Sequence, residues 1–202
     1  EHRAVRERAG LFDLSHMGEL WLVGAGAGDA LAAALVSDPR RLAVTGGSAS
    51  GYTTLCALAF RETFTAGVCH FGIGDLTTFV NETHKFESRY IDTLIGPYPE
   101  QAERYRERSP LRHLDGFNAP ALITQGIEDK VVPVEQGRQI VETLRAKGLP
   151  VASIFFEGED HGYRQAPHII RAFEAELSFL GQVFGFTPAD AIEPVTVENL
   201  RR

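Results

Sequence analysis

The sequence has little sulfur: two cysteines, Cys56 and Cys69, and one methionine in 202 residues. There is no CxxC pair and no Cys/His spacing suited to zinc, so neither a zinc module nor a disulfide-stapled fold is expected and no metal is called for. Each cysteine falls in an apolar stretch, which reads as a buried thiol in a reducing, cytoplasmic setting. Basic charge is also short, with 20 Lys and Arg against 27 Asp and Glu and a net charge of −7. A polyanion needs a basic footprint, so nucleic acid is excluded as the expected partner. No apolar run reaches the length that spans a bilayer and no signal-peptide pattern opens the chain, so no membrane association is expected. The chain opens on Glu1 rather than Met, and its reading frame is expected to start further upstream.

What is present is an ordinary globular mix, 44% hydrophobic and 23% charged, sufficient for one sizeable core. From residue 37 onward, short β-rich runs alternate with helical stretches. Strands are expected over Arg41–Thr45, Phe64–Phe71, Ala121–Gln125 and Val151–Phe156. Helices are expected over Ala49–Phe60, His84–Leu94, Val134–Lys147 and Ile169–Phe184. That alternation predicts βαβ units and a mostly parallel sheet. The first forty residues differ: a charged helix over Glu1–Arg8, a strand over Glu19–Val23 and an alanine-rich helix over Ala30–Val36 make a short α+β segment. Residues 187–202 hold two prolines and little periodicity, and read as a surface tail.

The strongest chemical signal is Gly46-Gly47-Ser48-Ala49-Ser50-Gly51 between an expected strand and an expected helix. A nucleophile elbow needs that context, with small neighbours two positions to either side of the serine. Gly46 meets the requirement upstream; Ser50 stands where a second glycine is usual. Ser50 itself would have Tyr52 two positions on, which is crowded, so Ser48 is the better nucleophile. An ordinary Gly/Ser turn capping a helix is the competing reading of this motif alone.

Two further strand ends support it. Asp129 directly follows ALITQ and His161 directly follows VASIFF, in the order nucleophile, acid, base, on the sheet edge where ligands collect. In this reading Ser48 attacks a carbonyl, His161 takes and returns the proton, and Asp129 holds the imidazole tautomer. Glu128 is a competing acid beside Asp129. The other six histidines lack a matching strand-end context and read as surface or core residues.

Over residues 38–200 these segments closely resemble the catalytic part of the prolyl oligopeptidase family of serine peptidases, in its dipeptidyl-peptidase and acylaminoacyl-peptidase branches. The resemblance rests on DPRRLAVTGGSASGYTTL, THKFESRYIDTLIGPYPE, RSPLRHLDGFNAPALITQGIEDKVVP and FEGEDHGYR. It implies a truncated α/β-hydrolase, a mostly parallel sheet with flanking helices, that cleaves short peptides without a cofactor. It also implies that Phe86 and Tyr90 line the substrate pocket, and that the Ala49 N–H is one oxyanion donor. The strands that carry the second donor in that family are missing ahead of Ser48.

EHRAVRERAGLFDLSHMGELWLVGAGAGDALAAALVSDP, by contrast, resembles the start of the glycine-cleavage T protein, a tetrahydrofolate-dependent aminomethyltransferase. The expected division is therefore a fragment of that kind over residues 1–39, an α/β-hydrolase portion over 40–186, and the tail. GAGAG at 24–28 imitates a dinucleotide loop, but Asp29 stands where the fingerprint needs its third glycine and would repel a pyrophosphate. Two other readings stay open: an inherited triad on a remnant that no longer catalyses, and a folate-binding module.

Overall fold

The computed structural model describes residues 10–14, 19–23, 42–83 and 89–200. These fall into two compact units, residues 1–42 and 43–202. In the first, strands β1 (Gly10–Leu14) and β2 (Glu19–Val23) pair antiparallel, with Gly10 opposite Val23 and Leu14 opposite Glu19. The helices expected over 1–8 and 30–36 lie outside the described residues.

The second unit is built on a four-stranded parallel sheet in the order β3-β4-β5-β6. Its strands are β3 (Ala43–Gly47), β4 (Ala66–His70), β5 (Ala121–Gly126) and β6 (Val151–Phe156). Parallel neighbours require crossovers, supplied by α1 (Ala49–Phe60) between β3 and β4 and by α4 (Val134–Ala146) between β5 and β6. The β4–β5 crossover carries α2 (Leu76–Glu82) and α3 (Ala102–Glu107). Helix α5 (Ala166–Phe184) follows β6.

β5 is buried at all six positions, which is why ALITQG reads as a run rather than an alternation. Ala121 and Ile123 pack with Leu55 and Leu58 of α1 and Ile140 and Leu144 of α4. Leu122 faces the other way, into a cluster with Val68, Ala152, and Ala175 and Phe179 of α5. Strand β5 is thus covered on both faces, whereas the edge strand β3 leaves Ala43 and Thr45 exposed, and each fully buried Leu, Ile, Val or Phe side chain contributes about 1.5–3 kcal/mol. A third cluster, with Ile73, Leu76, Phe79, Ile91, Ile95 and Tyr105, packs on Val132 just past the end of β5.

Several boundaries differ from expectation. The strand expected from Arg41 is described from Ala43 and runs on through Gly46 and Gly47, which pair with Cys69 and His70. The helix expected over His84–Leu94 is not seen where it is described: residues 84–88 lie outside, and Tyr90–Asp92 is a single 3₁₀ turn. Residues 187–200 form no helix or strand, yet they are pinned. Val151 and Glu198 exchange backbone hydrogen bonds, Glu198 pairs with Arg145, and Val195 N–H donates to Ser178.

Candidate active site

β3 ends at Gly47 and α1 begins at Ala49, so Ser48 must reverse the chain in one residue. It does so with φ 55° and ψ −119°, a sparsely populated conformation that persists only when its surroundings impose it. Its N–H donates to His70 O on β4 at 3.0 Å, and its own carbonyl accepts from Tyr52 N–H. Gly46 is needed on steric grounds: a Cβ there would stand 2.4 Å from Ser50 O and 2.8 Å from Ser50 Cβ. The bare Gly46 is what leaves room for the Ser50 backbone in the first turn of α1, while the Ser50 side chain is exposed.

His161 Nε2 lies 2.7 Å from Ser48 Oγ, and Nδ1 lies 2.9 Å from Asp129 Oδ2. A carboxylate only accepts, so Nδ1 carries the proton and Nε2 is left to accept from the Ser48 hydroxyl. The Asp129 side chain is fully buried, whereas that of His161 is 21% exposed. Asp129 Oδ1 accepts the Val131 and Val132 N–H groups, each at 2.9 Å. Gln125, on β5, donates to Val132 O and reaches Asp129 Oδ2 at 3.5 Å. The carboxylate is therefore hydrogen-bonded on both oxygens, as a buried charge must be. Glu128, the competing acid, is exposed.

The loop carrying His161 is held from within. Glu159, almost wholly buried, accepts Arg164 N–H and Gln165 N–H at 2.9 Å and pairs with His168 at 2.8 Å. Burial works against its ionisation, but these donors outweigh it and hold the carboxyl below its ordinary range. Asp160 accepts from the Lys130 and His161 N–H groups, which hold its carboxyl low as well. Glu128 N–H donates to Glu159 O, tying the acid loop to the histidine loop.

Ser48, His161 and Asp129 are thus brought together. The Ala49 N–H is the first helical amide of α1, a position with no intrahelical acceptor, and it adjoins Ser48. Tyr90 opens the 3₁₀ turn 90–92, while Phe86 lies outside the described residues. Sequence reasoning missed Phe71, with φ 40° and its ring 5.0 Å from that of His161. It also missed Thr124, Glu159 and Tyr163, and passed over His70; the only signal was their adjacency to the motifs. Among the described residues no group of acidic, cysteine and histidine side chains could hold a metal, and no helix is long and apolar enough to cross a membrane.

A model of the prolyl oligopeptidase family matches residues 25–187. Dipeptidyl aminopeptidase BIII of Pseudoxanthomonas mexicana is 32% identical over 157 residues, covering 74% of this chain and 23% of that protein. Among solved structures, a Mycobacterium tuberculosis puromycin-hydrolyzing peptidase is 46% identical with a TM-score of 0.79, covering 85% of this chain and 26% of that one. An acylaminoacyl peptidase in complex with Z-Gly-Gly-Phe-chloromethyl ketone is 26% identical with a TM-score of 0.71, covering 81% and 27%. The chain therefore spans about a quarter of the length of these relatives. The fold is the α/β-hydrolase sheet with its flanking helices, and this chain belongs to the prolyl oligopeptidase family.

Proposed function

We propose that this chain is the catalytic part of a serine peptidase acting on short peptides, with Ser48 as nucleophile, His161 as general base and acid, and Asp129 as its orienting acid. The observation that carries the reading is the continuous hydrogen-bonded path from Ser48 Oγ through the imidazole to a buried carboxylate. Ser48 Oγ attacks the scissile carbonyl as its proton passes to Nε2, and Asp129 stabilises the imidazolium that forms. The developing oxyanion is met by the Ala49 N–H, and the positive end of α1 adds to that field. The imidazolium then gives its proton to the leaving amine, and water, activated by the same Nε2, hydrolyses the acyl-serine.

A ligand of one relative suggests the class: that acylaminoacyl peptidase is in complex with the peptide-derived Z-Gly-Gly-Phe-chloromethyl ketone. Phe86 and Tyr90 are assigned to the pocket for the residue before the scissile bond. A fluorophosphonate probe tests the reading. Stoichiometric labelling that vanishes in Ser48→Ala supports it, and a folded chain that takes no label overturns it. Comparing aminoacyl-anilides with p-nitrophenyl esters then separates a peptidase from an esterase using the same triad. The aminomethyltransferase-like reading of residues 1–39 has its own test, since tetrahydrofolate that does not raise the melting temperature dismisses it.

A further inference from the structure

Thr124 sits at 0% exposure in the middle of β5, yet its hydroxyl is the junction of a polar chain. Tyr163 OH lies 2.5 Å from Thr124 Oγ1, His70 Nδ1 lies 2.6 Å from the same oxygen, and His70 Nε2 lies 3.1 Å from Glu176 Oε2 on α5. With a neutral His70 ring, its bond to Glu176 sets the direction. The carboxylate accepts, so Nε2 donates to it; in the neutral ring Nδ1 then accepts the Thr124 proton, and Thr124 accepts from Tyr163. Every member is satisfied, the condition under which a buried network rigidifies rather than destabilises. Burial pushes the Tyr163 phenol upward, which keeps it a donor.

Tyr163 stands two residues past His161, and Gly162 between them takes φ +84°, a turn that glycine makes without strain. Its ring packs edge-on against Phe71 at 5.3 Å and Phe156 at 4.8 Å. Phe71 in turn packs edge-on against His161 at 5.0 Å. Phe71 is itself tied down, its N–H donating to Thr124 O at 2.7 Å, and its ring fills the place a Gly47 side chain would take. Two routes therefore lead from Thr124 to the imidazole, one through the chain to Tyr163 and one through Phe71.

We propose that Tyr163 is a positioning residue for His161, its hydroxyl hung on Thr124 and through it on His70 and Glu176, its ring backing Phe71 against the imidazole. The proposal rests on the catalytic reading above for its rate measurement, but not for its spectroscopic one. Tyr163→Phe keeps the ring and removes only the link, and Thr124→Val removes the junction at nearly constant shape. The full chain is labelled with a fluorophosphonate, measuring rate constant and final stoichiometry separately, because unfolding lowers the second and misplacement the first. Each variant is expected to label roughly 10- to 100-fold more slowly at unchanged stoichiometry, the scale set by small displacements of a reacting group. The double variant should be no slower than the slower single, since both break one link. Thr124→Ser, which keeps the hydroxyl, should restore the rate.

The second readout is the downfield proton resonance of His161 Nδ1–H in its bond to Asp129, expected to broaden or vanish in Tyr163→Phe. A wild-type rate with that resonance intact in Tyr163→Phe overturns the proposal, as does a double variant whose effects multiply. If the wild-type chain takes no label, the peptidase reading fails; loss of the resonance in Tyr163→Phe still supports positioning, and its persistence overturns it.

Discussion

Ser48 Oγ and His161 Nε2 stand 2.7 Å apart across a separation of 113 residues. Their strands are not neighbours: β3 and β6 are separated by β4 and β5, three strand spacings or about 14 Å. A parallel sheet puts all four C-terminal ends on one edge, but the histidine loop must still reach back across two strands. The contacts beneath it mark that path, to Thr124 on β5 and to Phe71 just past β4.

The first prediction concerns Asp129→Asn. Oδ1 of Asp129 accepts two backbone N–H groups, so an asparagine places its amide oxygen there and turns its NH₂ toward His161 Nδ1. Nδ1 must then accept, the ring proton moves to Nε2, and Nε2 can no longer take the Ser48 proton. Turnover of an aminoacyl-anilide should fall about 10³- to 10⁴-fold with an unchanged far-UV circular dichroism spectrum. Loss of less than tenfold would show that the tautomer is not set by this bond.

How far the sequence led is visible at these same residues. Ser48, Asp129 and His161 were legible because each sits at a strand end beside turn-forming glycines or acids, a local pattern. β5 was legible as a buried strand following Pro120, and α1 matches its expected bounds at both ends. The Thr124 junction was not legible, because its partners are 39 and 54 residues away and nothing local marks a threonine as anything but strand-forming. His70 looked like one histidine among several for the same reason. Of the helix expected over 84–94, the described part holds only the 3₁₀ turn 90–92, where an alternation of charge and bulk was too weak a local signal to fix a helix.

A second prediction concerns the elbow. In Gly46→Ala the new methyl group would meet Ser50 O at 2.4 Å and Ser50 C at 2.6 Å, backbone atoms that move only if α1 shifts. A loss of about 1–3 kcal/mol in urea unfolding is expected, the usual range for overpacking, together with loss of fluorophosphonate labelling. Adding Ser50→Gly should not restore labelling, because it removes the Ser50 Cβ but leaves the closer backbone contacts. Full recovery in the double variant would locate the strain in the Ser50 side chain instead.

Cys69 offers a third. It lies on β4 at 1% exposure, and burial pushes its thiol up to about 12. At pH 8 roughly one molecule in 10⁴ would hold it as thiolate, the form that reacts. Iodoacetamide should therefore leave Cys69 unmodified in the folded chain and modify it on unfolding in urea. Cys56, half-buried and also raised by burial, should react slowly but measurably without denaturant. Mass spectrometry of the two peptides reads both rates, and equal native reactivity would contradict the packing of β4 against α1.

The last prediction follows from Glu159, whose carboxyl is held below its ordinary range in the folded chain. Burial alone would raise it; the Arg164 and Gln165 N–H groups and His168 more than reverse that. A depressed folded value means the unfolded chain binds this proton first as pH falls. The stabilisation is complete above the ordinary glutamate range, near 4.3, and is lost as pH drops through the lower folded value. Glu159→Gln should lower the melting temperature at pH 7, where the wild-type carboxylate is ionised, and the gap between the two proteins should close on acidification below pH 4. Because the same carboxylate holds the segment after His161 and His168 at the start of α5, the variant should also label more slowly with fluorophosphonate at pH 7. Melting curves of both proteins between pH 3 and 8 provide the check, and a gap that widens in acid would show that Glu159 is not the group being protonated.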